Sequence, residues 1–480
     1  GARCGAGDGG RARCAEPSQV SAIAARQFVA YGIAVTTVMM ITTILSYFVV
    51  RYSWKYSALV AFTTAALFFW IDFAFWSSNL LKFFHGGWFP IAIGADAGSE
   101  PRVRVLDPIT LTDKAQFNPY SATFKGGVRV ALGDVNNDGY ADIIIGAPDF
   151  DNGQIDEGRV FIFTGSPSGI NTAAAWTAEA DQANAHFGAA VCMGSDLNDD
   201  GVGDIAVGAP DFDNGQTDEG EVFLYSGTNI IAQSTVPLIV FQGDQAGAHF
   251  GAAVAAAGNV NGDRSGDLLI GAPDLDDGHT DEGAAYIVYG LPSSQALTPL
   301  IFKEANSANA HCGTSLTGIG DIDNDGFSDV AVSTPDVFSA PGFGIVTIHR
   351  GTTTGLSNIT VAQILQPDAS GGRLGAWIAP AGDVNNDGRS DLLVGDPLFD
   401  GTNGTDCGRV CVYRGSDNPF FEAVPSLSIQ GSMAGEQFGT SGGYVGDSEG
   451  DGFTEIVAGA PLSTNGTIRE YNSTWTLGVP

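Results

Sequence analysis

A nine-residue acidic segment recurs six times along the chain at a nearly constant spacing. The first residues of successive copies are 62, 63, 62, 62 and 64 positions apart. A period of this length indicates structural units packed side by side, because one such unit is too small to bury a core alone. The copies span Asp134–Asp142, Asp196–Asp204, Asn259–Asp267, Asp321–Asp329, Asp383–Asp391 and Asp447–Glu455. The chain is therefore expected to form a repeat architecture.

Each segment carries oxygen-bearing side chains at positions 1, 3, 5 and 9, and most copies have glycine at position 6. Calcium takes about six to eight oxygen ligands in a flexible cage, and the main-chain carbonyl of position 7 can supply one more. The sequence thus predicts Ca2+ as the cofactor. The candidate ligands are Asp134, Asn136, Asp138, Tyr140, Asp142, Asp196, Asn198, Asp200, Val202, Asp204, Asn259, Asn261, Asp263, Ser265, Asp267, Asp321, Asp323, Asp325, Phe327, Asp329, Asp383, Asn385, Asp387, Arg389, Asp391, Asp447, Glu449, Asp451, Phe453 and Glu455.

Two other kinds of loop share part of this pattern. An EF-hand needs a bidentate glutamate at position 12 and flanking helices, whereas position 12 here is apolar, as at Ile145 and Val207. Asp, Asn and Gly also favour ordinary hairpin turns. Six copies in phase favour metal binding. Carboxylates without a bound ion repel each other by roughly 1–4 kcal/mol per close pair, and a loop that serves only as a turn gains nothing from that repulsion.

The third and sixth copies are weaker candidates. In the third, Asn259 replaces an acid and Arg264 replaces glycine, and in the sixth Glu449 and Glu455 replace shorter side chains.

Each acidic segment lies between strand-like runs. Alternating stretches such as Arg159–Gly165 and Glu221–Gly227 are bounded by Gly, Pro, Asn and Asp, which is the pattern of short strands. No stretch after residue 100 has a convincing helical period. Four short strands in a unit of about 62 residues are typical of a propeller blade.

The unit also has constant flanks, with Phe-Gly before the acidic segment, as at Phe187-Gly188, and Gly-Ala-Pro after it, as at Gly208–Pro210. In this order the three motifs resemble the FG-GAP repeat of integrin alpha-chain propellers and many bacterial surface proteins. The resemblance implies a calcium-loaded propeller with a binding or adhesion role. Departures are His311-Cys312-Gly313, Ser333-Thr334-Pro335 and Gly395-Asp396-Pro397.

The first hundred residues have a different character. Val29–Val50 is an uncharged run long enough to cross a hydrocarbon core, and Ala58–Leu81 is a second apolar run interrupted only by Asp72. We expect a helical transmembrane hairpin, with a signal peptide as the weaker alternative. Tyr31–Leu45 and Ile71–Gly94 resemble part of a KUP-type potassium transporter. Two helices alone cannot form a complete ion path, so Asp72 is expected to be a packing carboxylate.

The predicted fold is therefore an all-β, calcium-binding propeller preceded by an α-helical transmembrane hairpin. The domains are a polar, disordered tail at residues 1–28, the hairpin at 29–94 and the propeller at 95–480. Six complete blades follow an incomplete first one, whose strands are expected at Arg102–Leu106 and Ala115–Tyr120, which gives seven blades in outline. The transporter-like segment ends where the second strand of the first blade would end, which favours a fusion or a mis-assembled reading frame.

Composition excludes several functions. The net charge is −33, so nucleic acid and anionic lipid surfaces are poor partners. The six cysteines show no zinc-type pairing, and the sequence contains no nucleophile elbow or phosphate loop, so we expect no enzyme activity. Three of the six histidines, His186, His249 and His311, share one repeated position, which indicates a structural role.

The favoured function is calcium-dependent binding of a protein or glycan ligand by a membrane-tethered, extracytoplasmic propeller, with residues 29–81 in the membrane. The alternatives are a fragment of a potassium transporter and the accessory propeller of a hydrolase.

Overall fold

The computed structural model describes residues 91–94, 101–106, 113–121, 123–194, 196–263, 265–290, 297–337, 344–356, 361–366, 372–416, 420–446, 453–460 and 467–471. The chain divides into two compact units, residues 1–87 with 447–452 and residues 88–446 with 453–480. All described residues belong to the second unit. The predicted tail, residues 29–90 of the predicted hairpin and most of the sixth acidic loop lie outside them.

The described residues form seven antiparallel sheets, in each of which the strands are ordered as in the chain. Sheet 1 contains β1 (Ile91–Gly94), β2 (Val103–Leu106) and β3 (Asp113–Phe117). Sheet 2 contains β4 (Arg129–Gly133), β5 (Asp142–Ala147), β6 (Arg159–Phe163) and β7 (Trp176–Glu179). Sheet 3 contains β8 (Ala190–Met193), β9 (Ile205–Ala209), β10 (Glu221–Tyr225) and β11 (Ile239–Gln242). Sheet 4 contains β12 (Ala253–Gly258), β13 (Asp267–Ala272), β14 (Ala284–Val288) and β15 (Leu300–Glu304).

Three further sheets complete the series. Sheet 5 contains β16 (Leu316–Gly320), β17 (Asp329–Thr334), β18 (Ile345–His349) and β19 (Val361–Leu365). Sheet 6 contains β20 (Trp377–Gly382), β21 (Asp391–Asp396), β22 (Arg409–Tyr413) and β23 (Leu427–Gln430). Sheet 7 contains β24 (Ser441–Gly446), β25 (Glu455–Ala460) and β26 (Thr467–Tyr471). One short helix, α1 (Gly227–Ile231), follows β10, although the sequence shows no helical period there.

The second strand of each four-stranded sheet is apolar on both faces because it is covered on both faces. In β5, Ile143 and Ile145 pack in the core between sheets 1 and 2, whereas Ile144 packs in the core between sheets 2 and 3. Cores of the same kind lie between each following pair of sheets as far as sheet 7. This arrangement explains why runs such as Ile143–Ile145 are continuously hydrophobic instead of alternating.

The Phe-Gly and Gly-Ala-Pro motifs meet where neighbouring sheets approach each other. A Cβ on Gly146 would lie 2.2 Å from the carbonyl oxygen of Gly188, and one on Gly271 would lie 2.1 Å from that of Gly313. Only glycine allows the two backbones to come so close. The repeated motifs are thus explained by sheet packing.

The departures from the motif have local explanations. Asp396, which replaces alanine in sheet 6, is buried and pairs with the buried Arg409 at 2.9 Å. Cys312, which replaces phenylalanine, packs in the core between sheets 4 and 5. The four described cysteines are free; Cys312, Cys407 and Cys411 are buried, and Cys192 is half-buried.

The all-β propeller fold is confirmed. The first strands of successive sheets, from β1 through β4, β8, β12, β16 and β20 to β24, contact each other in order. Sheets 2 to 6 have four strands each, and sheets 1 and 7 have three strands within the described residues. Closure of the series into a seven-bladed ring stays a prediction.

Sheet 1 contains strands near both positions expected for the first blade, at β2 and β3. It also contains β1, which lies in the last residues of the segment 29–94. Among the described residues no helix has the length and apolar character needed to cross a membrane.

Candidate metal centres

The acidic segments connect the first and second strands of sheets 2 to 7. In sheet 2, for example, the first segment begins directly after β4 ends at Gly133, and its last residue, Asp142, is the first residue of β5. Neighbouring segments also touch, because the amide N–H of Ser328 donates to the carbonyl of Asn259 and that of Thr454 donates to the carbonyl of Asp383. The predicted loops are therefore hairpin turns at equivalent ends of successive sheets.

The first residue of the loop organises its turn. Asp134 accepts hydrogen bonds from the amides of Asp138 and Gly139, at 3.1 and 2.7 Å. Gly139 has a φ of 86°, a conformation that glycine adopts without strain. The same pair of bonds recurs at Asp196, Asp321 and Asp383. The first-position carboxylate thus holds the loop in a curved form.

The carboxylate at the fifth position of the loop accepts a hydrogen bond from the backbone amide of the seventh. Asp138 Oδ1 accepts a hydrogen bond from the amide of Tyr140 at 2.9 Å. Equivalent bonds reach Val202, Ser265, Phe327 and Arg389. The structure therefore fixes the backbone at the position whose carbonyl is the predicted ligand, and coordination by that carbonyl stays a prediction.

The carboxylate at the ninth position of the loop is buried, and it accepts hydrogen bonds both from its own loop and from the turn after the third strand. Asp142 Oδ2 accepts from the amide of Val135 at 3.0 Å, and Oδ1 accepts from the amide of Gly165, two residues after the end of β6, at 2.7 Å. The same two-sided contact is made by Asp267, Asp329 and Asp391. Each of these carboxylates connects its loop to the turn after the third strand, and its oxygens keep a lone pair for a cation.

Burial raises the pKa of these ninth-position carboxyls, even though the two backbone hydrogen bonds act in the opposite direction. The pKa rises to about 6 for Asp142 and Asp391, and to about 7 for Asp204, Asp267 and Asp329. The other loop carboxylates contribute to the rise through repulsion. A bound cation would relieve this repulsion and favour the charged form.

Among the loops that the structure describes, the fourth copy brings three carboxylates together as a cluster. One oxygen each of Asp321, Asp323 and Asp325 lies within 4.8 Å of the other two. Asp323 Oδ1 is buried without a hydrogen-bond partner, and Asp323 Oδ2 lies 3.2 Å from Arg350 Nε. An unpartnered buried carboxylate oxygen beside two other carboxylates fits a hard cation such as calcium.

The other copies differ in charge and surroundings. Asp200 in the second copy accepts hydrogen bonds from Ser226 and Thr228; burial alone would raise its pKa, but these bonds lower it. In the third copy Asn259 Oδ1 accepts from the amide of Gly262, so the turn forms without a first-position charge. In the sixth copy, of the predicted ligands only Phe453 and Glu455 lie in the described part of the chain.

Sequence reasoning missed two contributors to the loops. The glycine after the third strand, such as Gly165 or Gly290, donates to the ninth position from 23 residues away. The signal was present, because a glycine ends each third-strand run. Ser226 carries no signal common to all repeats. Ser or Thr follows the glycine after the third strand in most copies, but the hydrogen bond from Thr228 to Asp200 is recognised only in the folded chain.

The described sheets and their acidic hairpin loops define a β-propeller. Residues 126–163, 187–225 and 375–413 match the FG-GAP repeat. Residues 23–98 match the K+ potassium transporter integral membrane domain. Both resemblances found in the sequence are thereby confirmed.

The individual relatives also fall into two groups, a potassium transport protein similar over a short segment and proteins similar over a larger part of the chain. A probable potassium transport system protein Kup 1 of Albidiferax ferrireducens is 63% identical over 65 residues, 14% of this chain and 10% of that protein. Bovine (Bos taurus) phosphatidylinositol-glycan-specific phospholipase D is 28% identical over 363 residues, 70% of this chain and 43% of the enzyme. Integrin alpha-4 of Xenopus laevis is 31% identical over 229 residues, 47% of this chain and 20% of the integrin. The chain thus spans less than half the length of each relative.

Proposed function

We propose that the propeller is a calcium-dependent binding module tethered to a membrane through residues 29–81. The observation that carries the proposal is the cluster of Asp321, Asp323 and Asp325, with its buried, unpartnered oxygen. The same loop recurs in the other repeats, so calcium would act at several equivalent positions along one end of the sheets. Bound ions would fix the hairpins there and leave the loops between them to contact a ligand.

A binding role agrees with the distribution of charged groups. Four of the five loops within sheets 2 to 6 hold their first-position carboxylate on backbone amides, and their ninth-position carboxylate is buried. Groups held in this way serve to order a loop and are poorly placed to transfer protons to a substrate. The similarity to integrin alpha-4 supports an adhesion role, and the ligand class we propose is a protein or a glycan.

The proposed location is the extracytoplasmic side of a membrane. Millimolar calcium there can fill weak sites, and the match of residues 23–98 to a transporter membrane domain supports membrane association. Protease added to intact cells that produce the full chain should remove the propeller. Complete protection in intact cells, with digestion after lysis, would contradict this placement.

Adhesion itself can be tested with beads that carry the full chain in lipid vesicles. The beads should adhere to a surface coated with extracellular proteins and glycans in calcium, and should detach in a calcium chelator. Beads carrying the Asp325→Asn variant should need more calcium for the same adhesion. Equal adhesion in calcium and in chelator would contradict a calcium-dependent binding role.

The accessory propeller of a hydrolase is the second candidate, and the similarity to phospholipase D over 363 residues favours it. In that case the gene would encode a catalytic domain beside the propeller. Single-molecule sequencing across the genomic region decides this point. A contiguous hydrolase domain would favour the accessory role, and its absence would favour the independent binding module.

The transporter match favours a third candidate, a potassium carrier of which this chain holds a fragment. We propose that the chain alone does not transport potassium. Rescue of growth on low potassium in a transport-deficient host would contradict this.

A further inference from the structure

Histidine and aspartate side chains alternate across five consecutive sheets, away from the acidic loops. We call this set the His–Asp row. In spatial order it consists of Asp149, His186, Asp211, His249, Asp274, His311, Asp336 and Arg373.

The centre of the row is His249, which lies between two carboxylates. Its Nδ1 is 2.7 Å from Asp274 Oδ2, and its Nε2 is 3.2 Å from Asp211 Oδ1. A neutral imidazole has only one N–H, whereas an imidazolium donates from both nitrogens. The two contacts therefore favour a positively charged His249.

The row continues in both directions from this centre. Asp211 Oδ2 lies 2.6 Å from His186 Nδ1, and His186 Nε2 is 3.8 Å from Asp149. On the other side, Asp274 Oδ1 lies 3.3 Å from His311 Nε2.

The row ends at a bidentate contact. His311 Nδ1 is 3.3 Å from Asp336 Oδ2, an ion-pair distance without a well-aligned hydrogen bond. Arg373 then contacts both oxygens of Asp336, with Nη2 at 2.8 Å and Nε at 3.2 and 3.3 Å. These side chains are about one-quarter to two-fifths exposed, so water screens the pairs only in part.

The row follows from the repeat itself. Each histidine sits in the left-handed turn before the first strand of its sheet, with φ of 50° to 53°. Each aspartate follows the proline that ends the second strand, as Asp211 follows Pro210. Asp211 and Asp274 each contact the histidine of their own sheet and that of the next, so the row joins sheets 2 to 6.

The row does not extend to sheet 7. The aspartate position of sheet 6 is occupied by Leu398, and the histidine position of sheet 7 is occupied by Gln437, which also has a φ of 50°. The boundary between sheets 6 and 7 therefore lacks these charges.

We propose that the His–Asp row is an electrostatic link that holds sheets 2 to 6 together, and that sheet 7, which lies outside the row, opens before sheets 3 to 5. His186 and His249 each act as a shared cation for the carboxylates of two sheets, and His311 lies between carboxylates of two sheets in the same way. Loss of one histidine therefore weakens both of its neighbours.

The charged groups that act on each histidine support this role. Hydrogen bonds donated by His249 to Asp211 and Asp274 raise the pKa of His249 to about 10. The hydrogen bond to Asp211 raises the pKa of His186, with further contributions from Asp149 and Asp156. Because the folded pKa of His249 exceeds its unfolded value of about 6.5, its contribution to stability is full below that pH and declines up to about pH 10.

The test is His249→Gln in the full chain, because Gln437 shows that glutamine fits this position of the turn. Melting temperatures of wild type and variant are compared between about pH 5 and pH 10, in calcium and in chelator. The variant should melt lower, with the largest difference near pH 5.5–6.5 and less than half of it near pH 9.5, in both media. His279→Gln, outside the row, is the matched control and should show a smaller difference without this profile.

Two further measurements on the wild type test the proposal even if the variant folds poorly. NMR of the wild type should show His249 titrating well above the ordinary value of about 6.5. Hydrogen exchange of the wild type should show β24 and β25 opening before β8 to β17. Two results would contradict the proposal: a difference in melting temperature between wild type and variant that does not depend on pH, or earlier amide exchange in sheets 3 to 5 than in sheet 7.

Discussion

At the residue scale, the fifth and ninth positions of the acidic loop have different physical roles. Asp325 is exposed and belongs to the carboxylate cluster, whereas Asp267 is fully buried and holds two backbone amides. Both are oxygen ligands by type, yet removal of their charge has different consequences. Substitutions can therefore separate metal binding from the structural role of the loop.

Asp325→Asn should lower the melting temperature in calcium and leave it unchanged or raise it in chelator. The amide oxygen can still accept from Phe327, while the lost charge relieves repulsion when no ion is bound. Calorimetry in both media, together with counting of bound calcium, measures the effect. Asp244→Asn, at an exposed position outside the loops, is the control; equal shifts in both variants would contradict a role in the cluster.

Asp267→Asn should destabilise the protein in both media, by about 1–3 kcal/mol, because one of the two buried amides loses its acceptor. Denaturant unfolding of the variant in chelator measures the change. An increase in stability would show that repulsion, and not the link to Val260 and Gly290, dominates at this position.

The raised pKa values of Asp204, Asp267 and Asp329 predict the pH dependence of the metal-free protein. A folded pKa of about 7, against about 4 in the unfolded chain, means that stability is lost as pH rises from about 4 to about 7. In chelator, the melting temperature should therefore be higher near pH 5.5 than near pH 8. In saturating calcium this difference should shrink; equal pH profiles in the two media would contradict the coupling.

At the element scale, the hairpin between the first and second strands is the functional unit, and the central strand positions it. The apolar run of β5 or β13 is anchored between two sheets, so the carboxylate at its start has a fixed place. The close approach of Gly271 to Gly313 sets the distance between sheets 4 and 5. Order in the loops thus depends on sheet packing as well as on a bound ion.

Gly271→Ala tests this dependence. The added methyl group would meet the carbonyl oxygen of Gly313 at 2.1 Å, so the backbones must separate. We expect a loss of more than 1 kcal/mol in denaturant unfolding and weaker calcium binding. Gly278→Ala is the control for backbone strain alone. Its φ is 103°, so an alanine there is strained, but the nearest atom to the added methyl group would be 3.9 Å away.

Much of this architecture was predictable from local sequence. The acidic loops and the apolar second strands, such as Asp142–Ala147, carry their own signals, and the all-β propeller follows from their period. The partners of Asp142 and His249 were not predictable, because Gly165, Asp211 and Asp274 reach them only after strands pair and sheets pack. The bond that the glycine after the third strand donates to a ninth-position carboxylate likewise depends on the path of that strand.

At the scale of the whole molecule, a row of propeller sheets carries its candidate metal loops at equivalent ends. The chain bears a net charge of −33, which calcium in the loops would reduce. Ions that bind only the folded loops stabilise the fold through binding linkage, by about 2.7 kcal/mol per site at a hundredfold excess over the dissociation constant.

The most direct test is thermal unfolding of the full chain in calcium and in a calcium chelator, with magnesium as the control ion and bound metal counted in parallel. We predict several bound calcium ions per chain and a melting temperature that is clearly higher in calcium than in chelator or magnesium. An unchanged melting temperature with no calcium retained by the folded chain would contradict the central claim.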